Sequence, residues 1–569
     1  MAETESWDDT VDVLVVGSGA GAMCAAVTAH DQGAKVLVIE KSDRYGGSSA
    51  MSGGSLWIPN NHLMKGVGVD DSVDDALTYL RGATKGTTPD DRLTMFVEWG
   101  PKMLKWVCDN TRLKVDAIAG YADYYPRVAG SKPGARTVEA RTFDGKLLGD
   151  ELLKMRDSGL QTLMLGRVCF TAAEARVLLC RNPGWIKLTM KLMMRYWFDL
   201  PWRFKSKRDR SLAMGNGLVG PLRLSLMDRK IPLQLNTPCK DVVVENDRVV
   251  GVIAEKNGKT IRIRATKGVV FGAGGFEGSQ AMRDKYLPAP AKEEWSCANP
   301  ANTGDIHAIG LKLGVPLDRM DDGWWGPVTV VPGEARARML VIEKSLPGGI
   351  LVNKKGQRFV NEAAPYVDVV NAMYANNSPE NPSIPAYLVF DARYRKTYPV
   401  GPFLPGAQQP DSMIPKNLKA VNYLKKADTI DALAAQIGVD TAGLKATIAR
   451  FNDNAKQGKD PDFFRGETVF DKYYGDQAWK PNESLGPIVD APFYAMEAWP
   501  GELGTKGGLR ADRFARVQKE NGEVIEGLYA IGNCSAPLAG CTYPGAGGTI
   551  GPAMTFGHIA ALHALGKLA

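Results

Sequence analysis

Asp12-Val13-Leu14-Val15-Val16-Gly17-Ser18-Gly19-Ala20-Gly21-Ala22 begins the stretch, running on to Gly54, whose reading decides the fold. Residues 13–16 are an unbroken apolar run, which reads as a strand buried on both faces of a parallel sheet. The GxGxxA turn after it opens a helix expected to reach about residue 30. A second apolar run, residues 36–39, ends at Glu40. That acid lies twenty-one residues after Gly19, where a ribose hydroxyl needs an acceptor. Gly17 allows the tight turn, Gly19 lets the backbone approach a pyrophosphate, and Ala22 keeps strand and helix close. Ser18, Ala20 and Gly21 complete the turn at the positive end of the helix, where the pyrophosphate sits. An acid at position 40, rather than an arginine, favours a free ribose over a 2′-phosphate; Lys41 follows it.

What comes next is not a nicotinamide pattern. Tyr45-Gly46-Gly47-Ser48-Ser49-Ala50-Met51-Ser52-Gly53-Gly54 is small and glycine-rich. It resembles the segment that runs along the flavin in FAD oxidoreductases of the fumarate reductase and ketosteroid dehydrogenase type. The resemblance implies FAD, with Gly47, Ser48, Ser49 and Gly53 against it.

A chain of 569 residues has room for two or three domains with large cores. Its 44% hydrophobic and 23% charged content is that of a globular enzyme. The eight cysteines include no CxxC, and the five histidines no pair at ligand spacing, so no iron–sulfur cluster, zinc ribbon or other metal site is expected. This cysteine usage fits a reducing, cytoplasmic compartment. Residues 1–9 are acidic and polar, unlike a signal peptide, and no run approaches the ~18 apolar residues of a spanning helix. The formal charge of +7 is local. Residues 181–210 hold nine basic side chains and two acids, and the rest of the chain is neutral overall. No recognition motif accompanies that patch, so no nucleic-acid partner is expected.

Residues 145–210 look inserted. Within them, residues 185–198 interleave bulky apolar and basic side chains, and Pro201-Trp202-Arg203-Phe204-Lys205 continues the pattern. Trp, Phe and Met on one side with Lys and Arg on the other suit a helix lying in a bilayer interface, as a peripheral contact. The same pattern suits an amphipathic helix packed on the main domain. The nucleotide-binding pattern then resumes. Residues 215–228 read as a helix, residues 237–263 as a meander whose lead-in includes Cys239, and residues 268–276 as a buried strand. The small end of that strand, Ala273 and Gly274, returns to the flavin. Asp305 is placed to accept from the first turn of the next helix. A second domain is expected at residues 337–502, between parts of the first at 1–336 and 503–569. Gly532-Asn533 ends a strand that should meet the ribityl chain. Gly548-Thr549-Ile550 enters the last helix, whose free N–H groups suit the flavin's pyrimidine carbonyls. The expected fold class is α/β: a Rossmann-like FAD-binding domain, split in sequence, with an inserted α+β catalytic domain.

Four pieces are more specific. They are Asp123-Tyr124-Tyr125-Pro126, Arg358-Phe359-Val360-Asn361-Glu362-Ala363-Ala364-Pro365-Tyr366, Gly504-Thr505-Lys506-Gly507-Gly508, and Thr542-Tyr543-Pro544-Gly545-Ala546-Gly547-Gly548-Thr549-Ile550-Gly551-Pro552. Together they resemble the 3-ketosteroid Δ1-dehydrogenases, over nearly the whole chain except residues 145–210. That insertion is similar to the one in longer members thought to sit at membranes and take bulkier sterols. The resemblance implies a 3-oxosteroid substrate and leaves the electron acceptor open, a quinone among the options. It implies loss of a proton from C2 and of a hydride from C1, the hydride going to flavin N5. The proton becomes acidic only if charge on the ketone oxygen is stabilised. The implied donors are the Tyr543 hydroxyl and the backbone N–H of Gly547. The implied base is Tyr374, with Tyr124 hydrogen-bonded beside it. A free phenol titrates near 10, so the base needs a partner that stabilises phenolate. Tyr366 lies eight residues before Tyr374, and spacing alone leaves both open. Tyr121, Ile350 and Tyr366 are expected to line the steroid slot.

Three other readings stand beside this one. Desaturation at C4–C5 would use the same flavin and similar tyrosines. Reduction of a dicarboxylate, as in fumarate reductase, would need Arg and His to clamp carboxylates. No arginine follows Val517, so a neutral substrate suits the last loop better. The third is a non-enzymatic flavin-binding lipid carrier docked by residues 181–210.

Overall fold

The structure is a computed structural model that describes residues 6–568; residues 1–5 of the acidic start lie outside the described residues. Its larger sheet grows from the quoted stretch. Asp9–Val16 and Val36–Ile39 pair in parallel, Val13 opposite Val36 and Val16 opposite Ile39. Lys259–Phe271 lies parallel on the other side of Asp9–Val16, and Val524–Ala530 lies parallel beyond it. Both ends of the chain therefore contribute to one sheet. Leu233–Gln234 forms an edge, and Cys239–Glu245 with Arg248–Lys256 makes the antiparallel meander. The parallel strands are apolar because helices cover them. The first helix, Ala20–Asp31, is buried along most of its length and packs on the last, Ile550–Ala564. Gly21 makes that contact possible, since a Cβ there would stand 2.6 Å from the Ala553 carbonyl oxygen.

The second sheet begins at Gly323–Thr329, ahead of residue 337. This strand runs antiparallel to the long Phe493–Thr505, which pairs in turn with Ala386–Phe390, and that with Gly349–Val352. Helices Ile430–Ile437 and Thr441–Gln457 cover one face of it. The other face packs toward the tyrosines described below.

The excursion after residue 144 is closed at its base, where Phe143–Asp144 pairs antiparallel with Ser211–Leu212. It carries helices Ala172–Leu179, Trp185–Trp197 and Leu200–Lys205. Val168, Phe170, Ala175, Leu192 and Tyr196 give it a small core of its own. Four of its arginines turn inward, against the expectation of one basic face. Arg195 reaches the Cys169 carbonyl and Asp209; Arg203 reaches the Lys207 and Arg208 carbonyls. Arg208 holds the Leu152 and Met155 carbonyls, and Arg210 pairs with Asp199. The Lys207 and Arg208 carbonyls also accept from the Tyr196 hydroxyl and from Trp202 Nε1, so the arginines complete a shared network. Lys187, Lys191, Lys205 and Lys207 stay exposed. Beside them stand Ile186, Met190, Met194, Trp197, Phe198 and Phe204, the last 93% exposed. No helix among the described residues is long and apolar enough to cross a membrane.

Candidate active site

A cavity of about 980 Å3 runs from the nucleotide turn to the second sheet. At one end it is lined by residues 17–22, Glu40, Lys41, Gly47, Ser48, Ser49 and Gly53. Cys239, Ala273, Gly274, Asp305, Gly532, Asn533, Thr549 and Ile550 complete that end. Gly548 does not line it and faces a smaller neighbouring cavity. Gly17, at φ +105°, could not be another residue: a Cβ would stand 2.3 Å from the Gly272 carbonyl oxygen. Ser18 Oγ donates to Glu40 Oε2 at 2.5 Å and Glu40 Oε1 accepts from the Ser42 N–H at 2.9 Å, which fixes the carboxylate. Asp305 departs from the expected cap. Gly304 is the cap, and Asp305 is already the first residue inside the helix Asp305–Lys312. Its carboxylate accepts instead from Lys41 Nζ at 2.6 Å and from Thr303 Oγ1 at 2.8 Å.

The donor set suits FAD. Ser48 Oγ accepts from the Asn299 N–H at 3.4 Å and from Asn302 Nδ2 at 3.2 Å, so its own proton is left for a ligand in the cavity. Glu40 offers an acceptor for a ribose, and the positive end of Ala20–Asp31 faces the same space.

At the other end the lining turns to phenols: Tyr121, Tyr124, Tyr366 and Tyr543. The Tyr124 hydroxyl donates to the Tyr366 oxygen at 2.9 Å. The Tyr124 ring stacks on Tyr543 with centroids 5.2 Å apart, and Tyr366 meets Tyr543 edge-on at 5.6 Å. The Tyr121 oxygen lies 3.4 Å from that of Tyr124 and 2.6 Å from that of Tyr474. Burial raises the pKa of Tyr543; hydrogen bonds with Tyr366 and Thr549 and with the Gly547 amide act against it. Burial also holds Tyr124 and Tyr366 well above the ordinary phenol value, and the bond from Tyr124 pulls Tyr366 back down.

These side chains are held from behind. Asp123 accepts from Trp57 Nε1 at 2.8 Å and from Arg136 Nη1 at 2.7 Å, and Arg136 also grips Asp71. The Tyr124 N–H donates to the Pro544 carbonyl at 3.1 Å, tying the two tyrosine loops together. Gly547 sits at φ +93°, where a Cβ would stand 2.5 Å from the Ser55 carbonyl oxygen. Pro365 starts the helix Tyr366–Ala375, which puts Tyr366 on its first turn. Lys344 Nζ holds the Glu362 and Ala364 carbonyls just before it, at 2.8 and 2.7 Å.

Two expected residues are elsewhere. Tyr374 does not line the cavity: its hydroxyl donates to the Pro290 carbonyl at 3.0 Å and its ring packs on Trp325. Eight residues of helix carry it about 12 Å from Tyr366 and round to another side. Ile350 packs under the helices at Leu433 and Ile448, because strand alternation turns Leu351, not Ile350, toward the tyrosines. Tyr474 was missed. Its only signal in the sequence is the Tyr473-Tyr474 pair, which carries no motif.

Cofactor cradle and phenol cluster together define a FAD-dependent oxidoreductase. The family model for the FAD binding domain matches residues 12–550. The 3-oxosteroid 1-dehydrogenase of Mycobacterium tuberculosis is 41% identical over 562 residues, covering 97% of this chain and 98% of that one. That of Comamonas testosteroni is 39% identical over 577 residues, covering 100% and 98%. The solved structure of 3-ketosteroid delta1-dehydrogenase from Sterolibacterium denitrificans, in complex with 1,4-androstadiene-3,17-dione, is similar at 48% identity and a TM-score of 0.95. That match covers 98% of this chain and 100% of the other. The chain belongs to the 3-oxosteroid 1-dehydrogenase family.

Proposed function

We propose that this chain introduces the C1–C2 double bond into ring A of 3-oxosteroids, with Tyr366 as the base in place of Tyr374. The observation that carries this reading is the meeting of Tyr366 and Tyr543 in one cavity with the nucleotide cradle. Bound FAD supplies the hydride acceptor. A ketone oxygen at the Tyr543 hydroxyl and the Gly547 N–H receives two donors, which acidifies the C2–H. Tyr366 takes that proton as a phenolate, and the Tyr124 O–H stabilises its charge. Phe470 packs on the Tyr124 ring and Trp324 on the Tyr543 ring, which holds the two phenols in place. The groups that meet the Tyr543 hydroxyl are phenol, hydroxyl and amide, which suits a ketone rather than a carboxylate.

Tyr543→Phe should slow anaerobic bleaching of the flavin by androst-4-ene-3,17-dione about 100-fold, with FAD still bound. Undiminished bleaching would overturn the oxyanion role. Offering 5α-androstane-3,17-dione and locating the new double bond by NMR separates C1–C2 from C4–C5 chemistry.

The excursion supports a further part of this reading, a peripheral contact with an anionic lipid surface. Exposed Ile186, Met190, Met194 and Phe198 recur on one side of their helix beside exposed lysines. Leu178, Leu179, Trp185 and Met193 of the same excursion line the large cavity, so a lipid-dissolved steroid has a short apolar way in.

A further inference from the structure

A second cavity, of about 30 Å3, lies behind the cofactor end of the first and shares Ile531, Gly532, Asn533, Thr549 and Ala553 with it. Two cations line it, Arg92 and Lys506. Lys506 is balanced, since its Nζ lies 3.0 Å from Asp322. Arg92 is not. Besides Arg92, five arginines are buried among the described residues: Arg136, Arg223, Arg283, Arg395 and Arg465. Each of those five holds a carboxylate. Arg92 has one hydrogen bond, from Nη1 to the Ala536 carbonyl at 3.1 Å, and lies over the Phe556 ring. Its Nε has no partner. Burial lowers its pKa to about 10, which leaves it charged at neutral pH. No carboxylate pairs with it directly; Asp512, Asp91 and Asp318 act on it only from farther off. A buried charge so weakly compensated is costly, so a compensating anion is favoured there.

We infer that this cavity is a binding site for one small monovalent anion of the halide class, held chiefly by Arg92. Its volume decides the class. A water needs roughly 10–15 Å3 of such space, so this cavity takes a monatomic ion but not a phosphate or a carboxylate. Because the two cavities share a wall, the anion acts on the cofactor. Reduction adds negative charge to the flavin, and a neighbouring anion opposes it. Anion occupancy therefore makes the flavin harder to reduce, and the empty site, with Arg92 weakly compensated, makes it easier.

The test uses the holoenzyme. Crystals soaked in sodium bromide should show an anomalous peak at the Arg92 guanidinium. In solution, exchanging sodium gluconate for sodium chloride at constant ionic strength should shift the flavin midpoint potential negative, with a saturable dependence. Arg92→Met should abolish both effects. Should Arg92→Met not fold, Arg92→Lys should keep the bromide peak, and the unmodified enzyme still decides the matter. A water in place of bromide, a potential indifferent to chloride, a chloride effect that survives Arg92→Met, or a peak at crystal concentration with no saturable effect in solution would each overturn the site.

Discussion

Between Tyr366 and Tyr374 the chemistry of the chain turns on which phenol faces the cavity. Tyr366 bonds with Tyr124 and meets Tyr543, whereas Tyr374 is spent on the Pro290 carbonyl. Tyr366→Phe should therefore slow the half-reaction that reduces the flavin at least about 100-fold, a loss typical of general-base removal. Tyr374→Phe should leave it within about twofold, as for a surface packing change. Stopped-flow bleaching separates the two, and equal losses would return the role to position 374. The pH dependence follows from the same burial. Tyr366 is held well above the ordinary phenol value, so at neutral pH only a small fraction is phenolate. That fraction grows tenfold per pH unit below the pKa. Thus kcat/KM should climb with a slope of about one through pH 7 to 9. Tyr124→Phe removes the bond that pulls Tyr366 down and should move the limb to higher pH. A flat profile would mean that another group takes the proton. The place of Tyr124, Tyr543 and Gly547 at the cavity was legible because short motifs mark their loops. Tyr366 was not separable from Tyr374, because the choice depends on helix phase and on Pro365 starting the turn.

At the scale of elements, the last helix closes the fold, and one histidine reports how firmly. His558 on Ile550–Ala564 has its Nδ1 2.9 Å from Thr28 Oγ1 on the first helix, and Trp99 and Trp106 pack against its ring. Burial lowers its pKa to about 4. The folded chain thus holds it neutral, while the unfolded chain takes up a proton near pH 6.5. Its contribution to stability is complete above pH 6.5 and is lost progressively as pH falls toward 4, by about 3 kcal/mol in all. Urea unfolding followed from pH 7 to 4 should show this acid limb, and His558→Gln should flatten it. An unchanged slope in the variant would place the acid sensitivity elsewhere. The nucleotide half of the fold was legible because its strands and turn follow one rule of spacing. Ile350 was misplaced for the opposite reason. Which face of a two-sided apolar strand meets the site depends on what packs on each side, here Leu433 and Ile448, and all four residues of Gly349–Val352 are buried.

Over the whole molecule, the excursion and the large cavity form one path from surface to flavin cradle. Sequence marked residues 185–204 as amphipathic but left open whether that face packs inward or outward. The structure divides them: Leu192, Tyr196 and Trp202 are buried, while Ile186, Met190, Trp197, Phe198 and Phe204 stand out. The inward arginines also shrink the basic patch to a few lysines, so apolar insertion should dominate binding and charge should modulate it. Burying a phenylalanine from water contributes about 1.5–3 kcal/mol, so Phe198→Glu with Phe204→Glu should lower partition into anionic vesicles about 100-fold or more. Lysines near an anionic surface add about 1 kcal/mol each, so binding should also weaken with salt, though by less. Turnover of androst-4-ene-3,17-dione in free solution should not change in the double variant, because neither residue lines the cavity. Turnover of a steroid supplied in vesicles should fall with the partition. If the unmodified protein does not sediment with vesicles at low salt, the exposed face serves another contact and the lipid route to the cavity falls with it.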